Sequence, residues 1–388
     1  MATVQERPTQ RNSIQVRWQP WLLGAIALLL AMDVATYFAA EGLWFRSVDY
    51  LGAFWLRLRT QITLGAIAFV GSFAFACFNL WLARRLEFEN YCIVPSDENR
   101  RRGIGLRQLL PLALGLALLL AVLVLYHGQL ALARWHSGGA EALPPLPLWL
   151  NVDTAWRVAQ QVVVTQPWQG LLLLATMVAF VVYPRVSSAI SSLLLSLSFA
   201  LVLSSQWSRV LPSLNPTNFG QVDPLFNQDI SFYIFRLPVL ELMEFWLSGL
   251  FGFSLVAVLL VYLLAGQSLS QGRFLGFSAP QQRHLYVLAG ALLVSTSMGH
   301  WLNSYELLYS QQGVTYGASY TDVKVDLPVQ TILSIITLVL ALVALGRSLF
   351  GFKRHLSRQR LPSFIILMAT YLIVATLGES VAPWLVQR

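Results

Sequence analysis

Charge is what this sequence has least of. Only 11% of its 388 residues are Asp, Glu, Lys or Arg, whereas an ordinary soluble domain carries about a quarter. That scarcity excludes a solvated globular surface of the usual kind. Cysteine is nearly absent too: Cys77 and Cys92 stand alone, which excludes a disulfide framework and a thiolate metal set. Catalytic signatures are missing as well. There is no HExxH, no GxSxG, no P-loop and no CxxCH, so the zinc-protease, serine-hydrolase, nucleotide-hydrolase and c-type haem classes find no footing. In place of charge stand long apolar runs, with 56% hydrophobic residues overall, and such runs indicate lipid as the solvent.

A helix needs about 20 apolar residues to cross the hydrocarbon. Nine segments qualify: Pro20–Ala40, Ile62–Leu82, Leu109–Tyr126, Trp168–Tyr183, Val186–Trp207, Phe245–Ala265, His284–Leu302, Pro328–Leu349 and Pro362–Leu385. The expected fold is therefore all-α, a polytopic transmembrane helix bundle of about nine helices. The count drops to seven if residues 168–207, interrupted at Pro184-Arg185, do not cross twice. Residues 1–19 form a leader, the bundle covers 20–385, and residues 386–388 lie past the last span. The Arg-bearing leader shows no cleavage site, so the first span reads as an anchor.

Either odd count puts the termini on opposite sides. With the N-terminus in the cytoplasm, inner segments hold 17 of the 26 basic residues and five of the 18 acidic ones. Outer segments hold nine basic and 11 acidic residues. This is the positive-inside bias. It assigns the net charge of +8 to topology and anionic headgroups, and argues against nucleic acid.

Three outer loops follow: 133–167, 208–244 and 303–327. The latter two are rich in Tyr, Phe, Asp, Asn and Gly, with turn signals at Asn215-Pro216, Asp223-Pro224 and Gly317. They read as ordered surfaces. The run Asp229 to Phe235 partly alternates, which suggests a short strand or an interfacial segment.

Within these loops, DPLFNQDISFYIFRLPVL (223–240) and YELLYSQQGVTYGASYTDVKVDLP (305–328) resemble signature stretches of the UPF0182 family of bacterial membrane proteins. The similarity runs from the first span to the end of the chain. It implies about seven membrane helices followed by a large extracytoplasmic domain, and the chain stops at Arg388, about where that domain would begin. The resemblance implies a cyanobacterial-type member, in the plasma membrane or the thylakoid, and assigns no activity.

Asp33 and Glu379 fall inside the first and last spans. Intramembrane carboxylates are costly and are candidates for an ion path, against the plainer reading of interfacial hydrogen bonding. His127 and His300 are candidates for tetrapyrrole ligation, haem or chlorophyll, against ordinary hydrogen bonding. His136, His284 and His355 suggest nothing specific. Ser188, Ser192 and Ser196 recur every four residues, as packing positions do. Asp223 with Asp229, and Asp322 with Asp326, lack EF-hand spacing and read as surface structure. No metal site is expected.

Two functions are weighed. The first is a non-enzymatic scaffold or accessory subunit of a larger membrane complex, a photosynthetic one in a cyanobacterium. It would dock through Asp223, Phe232, Tyr233, Phe235, Tyr305, Tyr309, Tyr316 and Tyr320. The alternative is an ion- or proton-coupled transporter or channel using Asp33 and Glu379. No inverted repeat supports the alternative, and few polar residues interrupt the spans.

Overall fold

The computed structural model describes residues 19–89, 104–137, 167–264, 273–274, 276–309, 317–349 and Ala369. Within them the chain is helical: α1 (Gln19–Ser47), α2 (Leu51–Glu89), α3 (Leu106–Ser137), α4 (Pro167–Val182), α5 (Pro184–Ser205), α6 (Trp207–Ser213), α7 (Leu237–Leu263), α8 (Ala279–Glu306) and α9 (Leu327–Leu349). The one sheet among the described residues is a two-residue antiparallel pair, β1 (Ile104–Gly105) with β2 (Arg273–Phe274). The all-α bundle is thus as expected.

Among the described residues six helical stretches are long and apolar enough to cross a membrane: Leu51–Leu86, Arg107–Ala133, Pro184–Ser205, Phe232–Leu263, Ala279–Tyr309 and Asp322–Leu349. Helix α1 covers the first expected span. Helix α4 covers the fourth and has only 16 residues, about 24 Å of rise. The ninth expected span, Pro362–Leu385, lies outside the described residues apart from Ala369.

The chain divides into two compact units, residues 1–59 and 60–388. In the first, α1 turns into α2 through Asp49, whose φ of 62° is left-handed, a conformation Asp tolerates. Glu41 accepts from Arg57 at 2.6 Å, and Phe45 packs on Phe54.

In the second unit α3 packs against α4, α5 and α7. Small residues permit the close approach: Ala113, Ala117 and Ala121 on α3 and Ser188, Ser192 and Ser196 on α5 are all buried. The three hydroxyls donate to the carbonyls of Pro184, Ser188 and Ser192 in their own helix. They therefore need no partner across the contact, and the packing role holds. The α4–α5 link is the single residue Tyr183, bent enough for Ser187 Oγ to reach the Ala179 carbonyl at 2.8 Å.

Helices α7 and α8 form the interior. About 78% and 72% of their apolar windows are buried, against 22% for α9, which packs on α8 along one face. Polar side chains fix α2 to this pair. Trp246 Nε1 donates to Ser72 Oγ at 2.7 Å. His284 bridges Tyr262 Oη (2.8 Å) and Asn79 Oδ1 (2.9 Å), and Asn79 donates to the Phe75 carbonyl. His284, read from sequence as a loop-side residue of no special note, is thus the buried joint of α2, α7 and α8. Such interhelical bonds contribute roughly 0.6–2 kcal/mol each.

The Asp229–Phe235 run is not a strand. After an isolated bridge between Val222 and Asp229, residues Phe232–Arg236 form a π-helical turn leading straight into α7. A second one, Asp322–Asp326, leads into α9. Each is followed by Leu-Pro, at 237–238 and 327–328. Proline has no N–H, and its ring crowds the carbonyl four residues back. The wide turn makes room for that ring. The leucine N–H then bonds five residues back, Leu237 to Phe232 and Leu327 to Asp322.

Candidate functional site

The most unusual chemistry in the bundle lies where α7 meets α8. Glu241, Glu244 and Ser248 share one face of α7, at spacings of three and four residues. Gly299 and Glu306, seven apart, share the facing side of α8. The two glutamates nearest the helix ends, Glu241 and Glu306, bring their carboxyl groups within hydrogen-bonding reach of each other. Arg209 of α6 and Tyr309 lie within electrostatic reach of Glu241.

Exposure falls along the row. Glu306 is exposed, Glu241 half-buried, and Glu244 is only 2% exposed. Glu244 interacts with Ser248 through its side chain, while its Oε1 is buried with no hydrogen-bond partner. A buried acceptor left in that state costs about 1–3 kcal/mol, more when charged. Gly299 makes room for it: a β-carbon there would stand 3.3 Å from Glu244 Oε1.

The loop bounds expected from the sequence place Glu241 and Glu244 in the 208–244 loop and Glu306 in the 303–327 loop. The structure corrects this, since both α7 residues lie inside the helix and Glu306 closes α8. The available signal was the pair of carboxylates three residues apart in ELMEF, followed by Ser248 on the same helical face.

Next to this row the two signature stretches fold onto each other. Tyr233 donates to Asp223 Oδ2 at 2.6 Å. Asp223 also accepts from the amides of Leu225, Phe226 and Gln228. Burial pushes its carboxyl upward, but the bonds from Tyr233 and these amides outweigh it and hold the group below the usual carboxylate range. Asp229 accepts from Ser231, Phe219 and Gly220. Those bonds, Ser231's first, lower it to about 2. Phe226, Phe232, Tyr233 and Tyr305 form one ring cluster, and Phe235 stacks on Phe219.

The expected docking residues therefore divide. Asp223, Phe232, Tyr233, Phe235 and Tyr305 are engaged in this internal packing; Tyr309 packs edge-on against Tyr233 yet stays 45% exposed, and Tyr320 is 76% exposed. Tyr316 lies outside the described residues. Asp322, expected at the surface, is buried, and with Ser319 it forms a reciprocal cap: each side chain accepts the other's amide.

Asp33 lies exposed on α1, and Glu379 is outside the described residues. His127 and His300 face different neighbours. His127 Nδ1 donates to the Leu123 carbonyl at 2.8 Å, and its buried Nε2 has no partner. That nitrogen points at Gly249, where a β-carbon would be 2.8 Å away. His300 instead bonds Gln330 of α9. Among the described residues no three His, Cys, Asp or Glu side chains group as metal ligands.

Comparison with known proteins is consistent on one point. Residues 18–388 match the model of UPF0182, an uncharacterised protein family. A UPF0182 protein of Nostoc sp. is 35% identical over 93% of this chain and 39% of its own length. One of Synechocystis sp. is 32% identical over 95% of this chain and 39% of its own. One of Trichodesmium erythraeum is 33% identical over 83% and 33%. The chain thus spans about two-fifths or less of the length of these relatives. No solved structure matches it significantly.

Proposed function

We propose, from the premise that the chain belongs to the UPF0182 family, that it is a non-enzymatic membrane protein that moves a cation or proton, with Glu244 as the group that exchanges it. One observation carries the reading: a carboxyl 2% exposed on the most buried helix, one oxygen of which has no partner. In a membrane helix such a group is expensive, and an exchangeable ion would supply the missing partner. The charge bias of the loops supports an orientation with the N-terminus cytoplasmic and Glu306 on the extracytoplasmic or lumenal side of a cyanobacterial plasma or thylakoid membrane.

The test is flux. Purified protein would be reconstituted in liposomes holding a pH-sensitive dye, with potassium, sodium and pH gradients imposed in turn. The wild type should dissipate at least one gradient. Inert wild-type vesicles under all three would end the reading.

A second reading, the accessory subunit of a larger membrane complex, draws on a different feature. Asp229 fixes the loop before α7, and that loop presents Leu214, Phe219 and Val222 at 67%, 52% and 59% exposure. Ordered apolar residues of this kind suit a protein partner. Gentle solubilisation and mass spectrometry of co-purifying subunits tests it, and a monodisperse protein without companions would count against it.

A further inference from the structure

We infer that the ion exchanged at Glu244 is a proton, taken up at Glu306 and passed through Glu241. The inference rests on the transport reading above and deepens it. Two carboxyl groups within hydrogen-bonding distance cannot both stay ionised without something positive between them. One shared proton supplies that as an O–H···O bond. A divalent ion would need more ligands, and the described residues group no three metal ligands. Glu244 then stands three residues further along the same face, buried and with Oε1 unpartnered. Each transfer breaks an O–H bond on one carboxyl and forms one on the next carboxylate, so the negative charge moves outward as the proton moves inward.

An internal repeat makes the case that the acids are not there to build the fold. The two π-helical turns, both of five residues, are 90 residues apart, and each runs into Leu-Pro-Val, at 237–239 and 327–329. Both following helices pack on α8. At the same register, Thr331 occupies the place of Glu241 and Ser334 that of Glu244. Ser334 meets α8 at the level Glu244 does: its hydroxyl donates to the Ser297 carbonyl at 3.0 Å, and Ser297 Oγ donates back to the Ser334 carbonyl at 2.8 Å. One copy of the module thus packs with the neutral Ser334 hydroxyl where the other has the Glu244 carboxyl, while Thr331 is exposed and donates to the Leu327 carbonyl of its own helix. The groups facing the acids are Arg209 from α6, Tyr309 beyond α8, Ser248 on α7 and Gly299 on α8; His127 and His300 face elsewhere.

Infrared difference spectroscopy of the full chain in lipid nanodiscs reads the proton directly, without reference to flux. The wild type should show the C=O stretch of a protonated carboxyl near neutral pH, shifted in heavy water. Glu244→Gln and Glu241→Gln should each remove or weaken it. Glu306→Gln, at the exposed end where folding is least at stake, should move its titration midpoint by about one pH unit or more. Absence of the band in the wild type, its survival unchanged in all three variants, or its loss on adding sodium or potassium at fixed pH would overturn the proton assignment. A proton band without flux would uphold the site and sink the transport reading. Flux without the band would do the reverse.

Discussion

Glu244 and Gly299 meet across the α7–α8 interface, the glycine leaving just the room that the carboxyl fills, 3.3 Å from where a β-carbon would stand. The contact is tighter than ordinary van der Waals distance, so the carboxyl must move if the glycine acquires a side chain. Gly299→Ala should therefore cost about 1–3 kcal/mol of stability and lower flux severalfold while leaving every acid in place. Thermal unfolding in detergent and the liposome assay measure the two effects. Wild-type flux in Gly299→Ala would show that the position of the Glu244 carboxyl is immaterial.

Gly249 is more constrained. A β-carbon there would stand 2.8 Å from His127 Nε2 and 2.9 Å from Phe199, and both rings are buried. Gly249→Ala is expected to destabilise by about 1–3 kcal/mol through overpacking. The double variant Gly249→Ala, His127→Ala should recover part of that loss. Non-recovery would locate the clash at Phe199 alone.

The Asn79–His284–Tyr262 chain predicts a different pattern. His284→Ala leaves the Tyr262 hydroxyl and the Asn79 amide oxygen buried without this partner, at about 1–3 kcal/mol. Tyr262→Phe leaves one group unmatched and should cost less. Equal losses in the two variants would mean that the bonds are not what holds α2 to the pair.

Asp229 gives the pH prediction. Its carboxyl is lowered to about 2 by bonds from Ser231, Phe219 and Gly220. A depressed folded value stabilises the charged form, so its contribution is fully present above the usual carboxylate value near 4 and disappears as pH falls through about 2. The 214–231 loop should become protease-sensitive over that window, and Asp229→Asn should show the sensitivity already at neutral pH. An Asn variant as resistant as the wild type would refute the anchoring role.

Much of the bundle was legible because spans advertise themselves: the apolar runs at Leu109, Val186 and Pro328 all fall in helices. Window hydropathy has the opposite weakness at helix ends. Glu241 and Glu306 raise the local polarity, so charge counting placed them in loops, and Glu244 went with them. The π-helical turns were illegible as such, because partial alternation in DISFYIF also fits a strand. The sequence signal available for them is the recurrence of Leu-Pro-Val, 90 residues apart, which marks a helix start only once both turns are seen. The burial of His284 and Asp322 depends on neighbours remote in sequence, such as Asn79, which no local pattern reveals.

The most direct measurement is the initial flux rate of Glu244→Gln beside Glu244→Asp in matched liposomes, each checked for monodispersity and melting temperature. The account predicts that Glu244→Gln loses at least about tenfold, roughly 1.4 kcal/mol on the barrier, and that Glu244→Asp, which keeps an ionisable group, retains a measurable rate. Two folded variants both transporting at the wild-type rate would contradict it.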